Sequence, residues 1–157
     1  MNWENTQQIS KKRQTKLKSK KMDLSIITDE IQETMFNFIK AEAKIRNVGD
    51  DACQILIESS ESNKNRFFLC YKGQKERETS INEIRKIKFV DFTGKSLFIE
   101  NFIEKITARL SEKHSLPLAN IRLLLGLFGQ EGNKSFLVCL FNEDEFVKDY
   151  TIPKLIS

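Results

Sequence analysis

Apolar residues between positions 96 and 110 recur at spacings of three and four. Ile99, Phe102, Ile103, Ile106 and Leu110 form one stripe, with Phe98 at its margin and Leu97 off it. Glu100, Glu104, Lys105 and Arg109 fall on the other side, so the spacing predicts an amphipathic helix with one face toward a core. Ser96 stands where an N-cap hydroxyl is needed. Lys113 and His114 stand near the negative end of the helix dipole, and Pro117 limits continuation.

A second helical pattern covers residues 23–47. Leu24, Ile31, Phe38 and Ile45 recur every seven residues, Ile27 and Met35 lie close to that stripe, and Ile26, Phe36 and Ile39 widen it. Gly49 is placed to stop the helix. Three heptads are too few for a coiled coil. The face can pack across the chain's own sheet; on a body this small, part of it can also contact another chain, or self-associate, through Leu24, Ile27, Ile31, Met35 and Phe38.

Alternating runs predict strands elsewhere. Residues 53–58 put Cys53, Ile55 and Ile57 on one face, and residues 66–71 alternate Phe67, Leu69 and Tyr71 against Phe68 and Cys70, giving a hairpin over a polar loop. Residues 73–79 read as a charged loop. Ser80 and Glu83 are spaced as a capping box for a turn or two of helix, followed by a short strand at 87–92, though residues 81–92 read nearly as well as one long strand. Residues 121–128 and 135–141 form a second hairpin. Both runs are apolar at either parity, which predicts central strands covered on each side, and Gly126 marks a bulge or a close backbone approach. From residue 142 the chain is acidic, then returns through Tyr150, Ile152 and Leu155. No internal repeat is visible. The expected fold is α+β: a long N-terminal helix and a central helix packed on a mainly antiparallel sheet, built from two hairpins plus a short strand.

Charge divides the chain into an expected arm and an expected body. The net charge of the 157 residues is +4, but residues 1–22 hold Lys11, Lys12, Arg13, Lys16, Lys18, Lys20 and Lys21 against Glu4 alone, a net of +6. Residues 23–157 carry 19 bases and 21 acids, a net of −2. Residues 1–22 bury too little apolar surface to offset chain entropy and read as a basic flexible arm, leaving 23–157 as a single domain. Those seven bases are candidate polyanion contacts. No apolar run reaches a membrane-spanning length and the N-terminus lacks a secretory h-region, so no integral membrane segment and a cytoplasmic location are expected. Cys53, Cys70 and Cys139 each sit in a strand-like run and read as reduced core thiols.

Three chemistries find little support in these residues. Residues 93–96 read Thr-Gly-Lys-Ser between a strand and a helix, but the first glycine of a phosphate loop would fall at Phe89, within the strand. The cysteines and His114 lack metal-ligand spacing, so neither a metal nor any other cofactor is expected. His114 has only Ser111 and Ser115 as local nucleophiles, and Glu143, Asp144 and Glu145 are consecutive and splay apart. The expected function is a non-catalytic protein-interaction module, such as a small adaptor, regulatory or accessory subunit, using the first helix or a sheet edge. One alternative is a nucleic-acid-associated protein binding phosphates through the arm. Another is a small enzyme whose site only the fold assembles.

Overall fold

The computed structural model describes residues 9–86 and 96–155, with side chains for 28–85 and 99–155. Ten elements follow one another: α1 (Ile9–Arg46), β1 (Cys53–Glu58), β2 (Arg66–Tyr71), β3 (Gln74–Thr79), α2 (Ile81–Lys86), α3 (Ser96–His114), β4 (Ile121–Gln130), β5 (Asn133–Asn142), β6 (Glu145–Tyr150) and α4 (Ile152–Leu155). The fold is α+β, with six antiparallel strands in the order β3-β2-β1-β4-β5-β6. Each half of the sheet is a three-stranded meander, and the first strands of the two meanders pair at the centre.

The core forms where the inner parity of the strands meets the helices. Cys53, Ile55, Ile57, Phe67, Leu69, Ile121, Leu123, Leu125, Val138 and Leu140 pack against Ile31, Met35, Phe38 and Ile39 of α1 and Ile99, Ile103, Ile106 and Leu110 of α3. Each helix crosses the sheet diagonally. Near its end α1 pairs Glu42 with Arg77 of β3 (3.1 Å), while further back Phe36 packs on Phe136 of β5 (5.8 Å between rings). α3 does the converse. His114 at its end meets the Tyr150 hydroxyl of β6 (2.7 Å), and Thr107 donates to Asn63 in the β1–β2 loop (3.0 Å).

That reciprocity reflects a repeat invisible in the residue letters. α1 and α3 end at Arg46 and His114, 68 residues apart, and Asn47 and Ser115 follow with φ of 59° and 54°. Both ends are Schellman turns, with Val48 N–H donating to Ala43 O (3.0 Å) and Leu116 N–H to Ser111 O (2.9 Å). A 3₁₀ turn comes next in each case, Asp50–Ala52 and Leu118–Asn120, and then β1 and β4 begin, still 68 apart. Beyond the first hairpin the offset is 71. Register irregularities fall at Leu69/Cys70 and Leu140/Phe141, the third strands start at Gln74 and Glu145, and the closing helices at Ile81 and Ile152. The repeats differ by three residues in the first hairpin, where β4 and β5 continue to a two-residue turn at Glu131 and Gly132 and β1 and β2 open into a loop. Leu56 and Leu124 are equivalent residues and are register partners, so the pseudo-two-fold axis passes between them, normal to the sheet.

Several expectations change. α1 begins at Ile9, well before residue 23 where the helical pattern was expected to start. Lysine, arginine and glutamine are good helix formers, and no Gly or Pro precedes Gly49. The seven-residue stripe of α1 ends at Phe38, since Ile45 is 76% exposed. Residues 73–79, expected as a loop, contain β3. Its exposed charges suit a sheet edge, which they protect from pairing with other chains. The acidic stretch after residue 142 contains β6, again at an edge. Gly126 is a close approach: a Cβ there would lie 3.0 Å from Gln54 Cγ. α2 starts as its cap predicts, with Glu83 N–H donating to Ser80 Oγ (3.2 Å). The strand expected at 87–92 lies outside the described residues.

The two helix ends yield a prediction. A left-handed residue costs a non-glycine side chain about 1 kcal/mol, less for Asn, which tolerates that region. Ser115→Gly is therefore expected to stabilise the protein by roughly 0.5–1 kcal/mol in urea unfolding, and Asn47→Gly by less. Equal effects, or a loss at Ser115, would contradict this assignment of the two turns.

Candidate interaction surface

The outer parity of the strands makes the second face of the sheet. Phe68, Cys70 and Cys139 are buried, yet none belongs to the core beneath the helices. Direct register partners assemble two rows across all or most of the sheet. One runs Glu78, Phe68, Leu56, Leu124, Cys139, Asp149; the other runs Arg66, Glu58, Arg122, Phe141, Phe146. Among the described residues no helix lies over this face, and the core joins α1, α2, α3 and α4 to the opposite one. Residues 121–128 and 135–141 were expected to be covered on both sides. Their outer residues Leu124, Leu137 and Phe141 are instead only half-buried, and Phe146 on β6 is 57% exposed.

Side-chain geometry holds the face in shape. Phe68 lies between Arg66 (5.1 Å to the ring centroid) and Lys75 (4.4 Å), which explains how an aromatic on an uncovered face becomes buried. Arg66 is held by Glu78 through two hydrogen bonds of 3.1 and 2.9 Å, and their hydrogen bonding raises the guanidinium pKa and lowers that of the carboxyl. Glu58 faces two cations, Lys75 at 2.5 Å and Arg122 at 3.6 Å. Arg122 also donates to the carbonyls of Ala119 (2.8 Å) and Ile121 (3.0 Å). Phe141 and Phe146 meet edge to face at 5.8 Å.

The face is concave. Leu56, Leu124 and Phe141, with Glu58 and Arg122 among them, floor an open trough of about 720 Å³ that straddles the pseudo-two-fold axis. Its rims are the hairpin turns at opposite corners of the twisted sheet: Gly73, Gln74 and Lys75 on one side, Glu143 and Asp144 on the other. Gln54 fixes the first turn by accepting from Gly73 N–H (2.8 Å) while its amide donates to Asp51 O (3.0 Å).

Of the residues expected to contact a partner, Ile31, Met35 and Phe38 are 4%, 1% and 1% exposed and pack in the chain's own core. Their broad stripe faces the sheet because α1 crosses it diagonally. Leu24 and Ile27 lie on α1 with side chains outside the described residues, as do Lys11, Lys12, Arg13, Lys16, Lys18, Lys20 and Lys21. The outer-face residues Leu56, Phe68, Leu124, Phe141 and Phe146 were not singled out from the sequence. Their signal was the double-parity apolarity of 66–71, 121–128 and 135–141.

Among the described residues no three His, Cys, Asp or Glu side chains converge as a metal site. His114 faces Tyr150, and burial is the main cause of its lowered pKa, ahead of Lys113 and Lys148. The Ser111 hydroxyl donates to the Leu116 carbonyl at the end of α3 (2.5 Å). Cys53, Cys70 and Cys139 are free buried thiols. Among the described residues no helix is long and apolar enough to cross a membrane. No known protein family, curated protein or solved structure matches the chain.

Burial pushes the Cys70 thiol up to about 11, and burial together with Asp149 pushes Cys139 up to about 12. A thiol that holds its proton more tightly when folded contributes stability below its unfolded value of about 8.5, and that contribution is lost as pH rises toward its folded value. Unfolding midpoints are therefore expected to drop from about pH 8.5 upward, more steeply for the wild type than for Cys70→Ala/Cys139→Ala. Parallel profiles would show that these thiols are not buried as described.

Proposed function

We propose that the protein is a non-catalytic protein-interaction module that docks its partner on the outer face of the sheet. The observation that carries this reading is the apolar row Phe68, Leu56, Leu124 and Cys139, continuous across four strands, with no helix over it among the described residues. Most of the surface of an α+β sheet is buried once, against its helices. A second apolar face, rimmed by charged residues, is the pattern of an interaction site. Six strands spaced at about 4.8 Å and about 20 Å long present on the order of 500 Å² per face, which suits a regulated contact better than a permanent one.

Affinity capture from the protein's native extract tests the reading, comparing wild type with Leu124→Asp. Leu124 is half-buried on the outer face, so the carboxylate reaches solvent in the free protein and is desolvated only in a complex. Captured proteins are expected to be lost with Leu124→Asp and retained after nuclease treatment. An identical set with both baits would remove the outer face from the account.

A second reading rests on the net charge of +6 within residues 1–22. Seven bases lie between residues 11 and 21 with no acid among them, and each could displace a counterion from a duplex. If about six phosphates are neutralised, log affinity for DNA should fall against log salt with a slope near −5, without sequence preference. Deleting residues 1–22 should abolish that binding. Equal affinity of the truncated chain would place the contact elsewhere.

A further inference from the structure

We infer that the occupant of the outer-face trough is an amphipathic α-helix of a partner protein, with its apolar ridge on Leu56, Leu124 and Phe141 and a basic flank against Glu143 and Asp144. The inference rests on the proposed docking role of this face and adds the chemistry of what docks.

Backbone hydrogen bonding selects the helix. On the face of a sheet the strand N–H and C=O groups are already spent in the ladder, here across all five strand pairs. An extended peptide laid over Leu56 and Leu124 would find no backbone partners, and strand addition belongs to the edges β3 and β6 instead. A helix satisfies its own backbone and brings only side chains. Shape points the same way. Two copies of this chain stacked face to face would set trough over trough and leave a void, whereas a helix about 10 Å across is convex and fills one.

Charge then fixes the flanks. On one rim Lys75 reaches the carboxylate of Glu58, whose second cation, Arg122, stands in the floor between Glu58 and Phe141. On the other rim Glu143 and Asp144 carry two negative charges, with no ion pair to either among the described residues. A helix lying along the trough has one flank on each rim. It is held best with bases toward Glu143 and Asp144 and acids toward Lys75. Like charges on either side are repelled.

The test uses the full chain and three fluorescein-labelled helical peptides of about 18 residues, long enough to cross the sheet at 1.5 Å per residue. All carry leucines at heptad a and d positions. One has lysines on one flank and glutamates on the other, one has glutamates on both, and one has lysines on both. Fluorescence anisotropy is expected to show the mixed peptide binding about ten-fold or more tighter than the all-glutamate peptide, with Leu124→Asp weakening it by a similar factor. Glu143→Lys/Asp144→Lys, at an exposed turn, is expected to reverse the preference toward the all-glutamate peptide. Circular dichroism of each variant verifies the fold. Equal affinity for the mixed and all-glutamate peptides, or no binding of either, overturns the helix assignment. Light scattering that shows a dimer abolished by Leu124→Asp would overturn the assignment in favour of a second copy, and would leave the docking role of the face intact. Peptide binding and extract capture both indifferent to Leu124→Asp would overturn the assignment and the docking role together.

Discussion

The pairing of β1 with β4 is the contact on which the rest of this structure depends. It joins two meanders that are otherwise separate in sequence, and it does so antiparallel, with Leu56 opposite Leu124 at the pseudo-two-fold axis. Without that pair each half would be a three-stranded sheet with one helix and a short terminal turn, too small to bury its own apolar residues. With it, the inner residues of both halves become one continuous floor, and α1 and α3 can each cross onto the other half. The diagonal contacts of Phe36 with Phe136 and of Thr107 with Asn63 follow from that geometry.

The same arrangement leaves one face without a cover. Two helices and two short ones suffice for the inner parity, and every connection that crosses the sheet among the described residues does so on that side. The outer parity is nevertheless not polar, as a solvated antiparallel face would be. It is apolar along its central row and charged at its corners. Cations lying over Phe68 reduce the exposed apolar area, and Glu58 and Glu78 hold those cations in place. An apolar centre flanked on one side by ion pairs is what a surface needs if it must stay folded alone and still bind.

Much of the fold was legible in the residues, and the reasons for the misses are physical. The stripe of Ile99, Phe102, Ile103, Ile106 and Leu110 located α3, and the capping pair of Ser80 and Glu83 located α2. β3 and β6 were missed because edge strands carry charge where central strands carry apolar residues, so Lys75, Glu76, Arg77 and Glu78 read as loop. The repeat was missed because its halves share pattern and not identity. From residue 28 on, the aligned positions of the described elements coincide only at Ile31 and Ile99, Leu56 and Leu124, Leu69 and Leu140, and Ile81 and Ile152. The outer face was misread because apolar residues at both parities fit a doubly covered strand as well as a docking surface. Only the position of the helices distinguishes the two.

The openness of the outer face is therefore the claim to test most directly, and thiol labelling does so. Cysteine introduced at Leu124 can be compared with cysteine at Glu131, an exposed turn residue, while the buried native thiols serve as an internal reference. Maleimide is expected to label Leu124→Cys in the folded protein within about ten-fold of the rate at Glu131→Cys, since accessibility governs attack once the thiolate is available. Protection of Leu124→Cys to the level of native Cys139 would show that the chain covers this face itself, and would contradict the account.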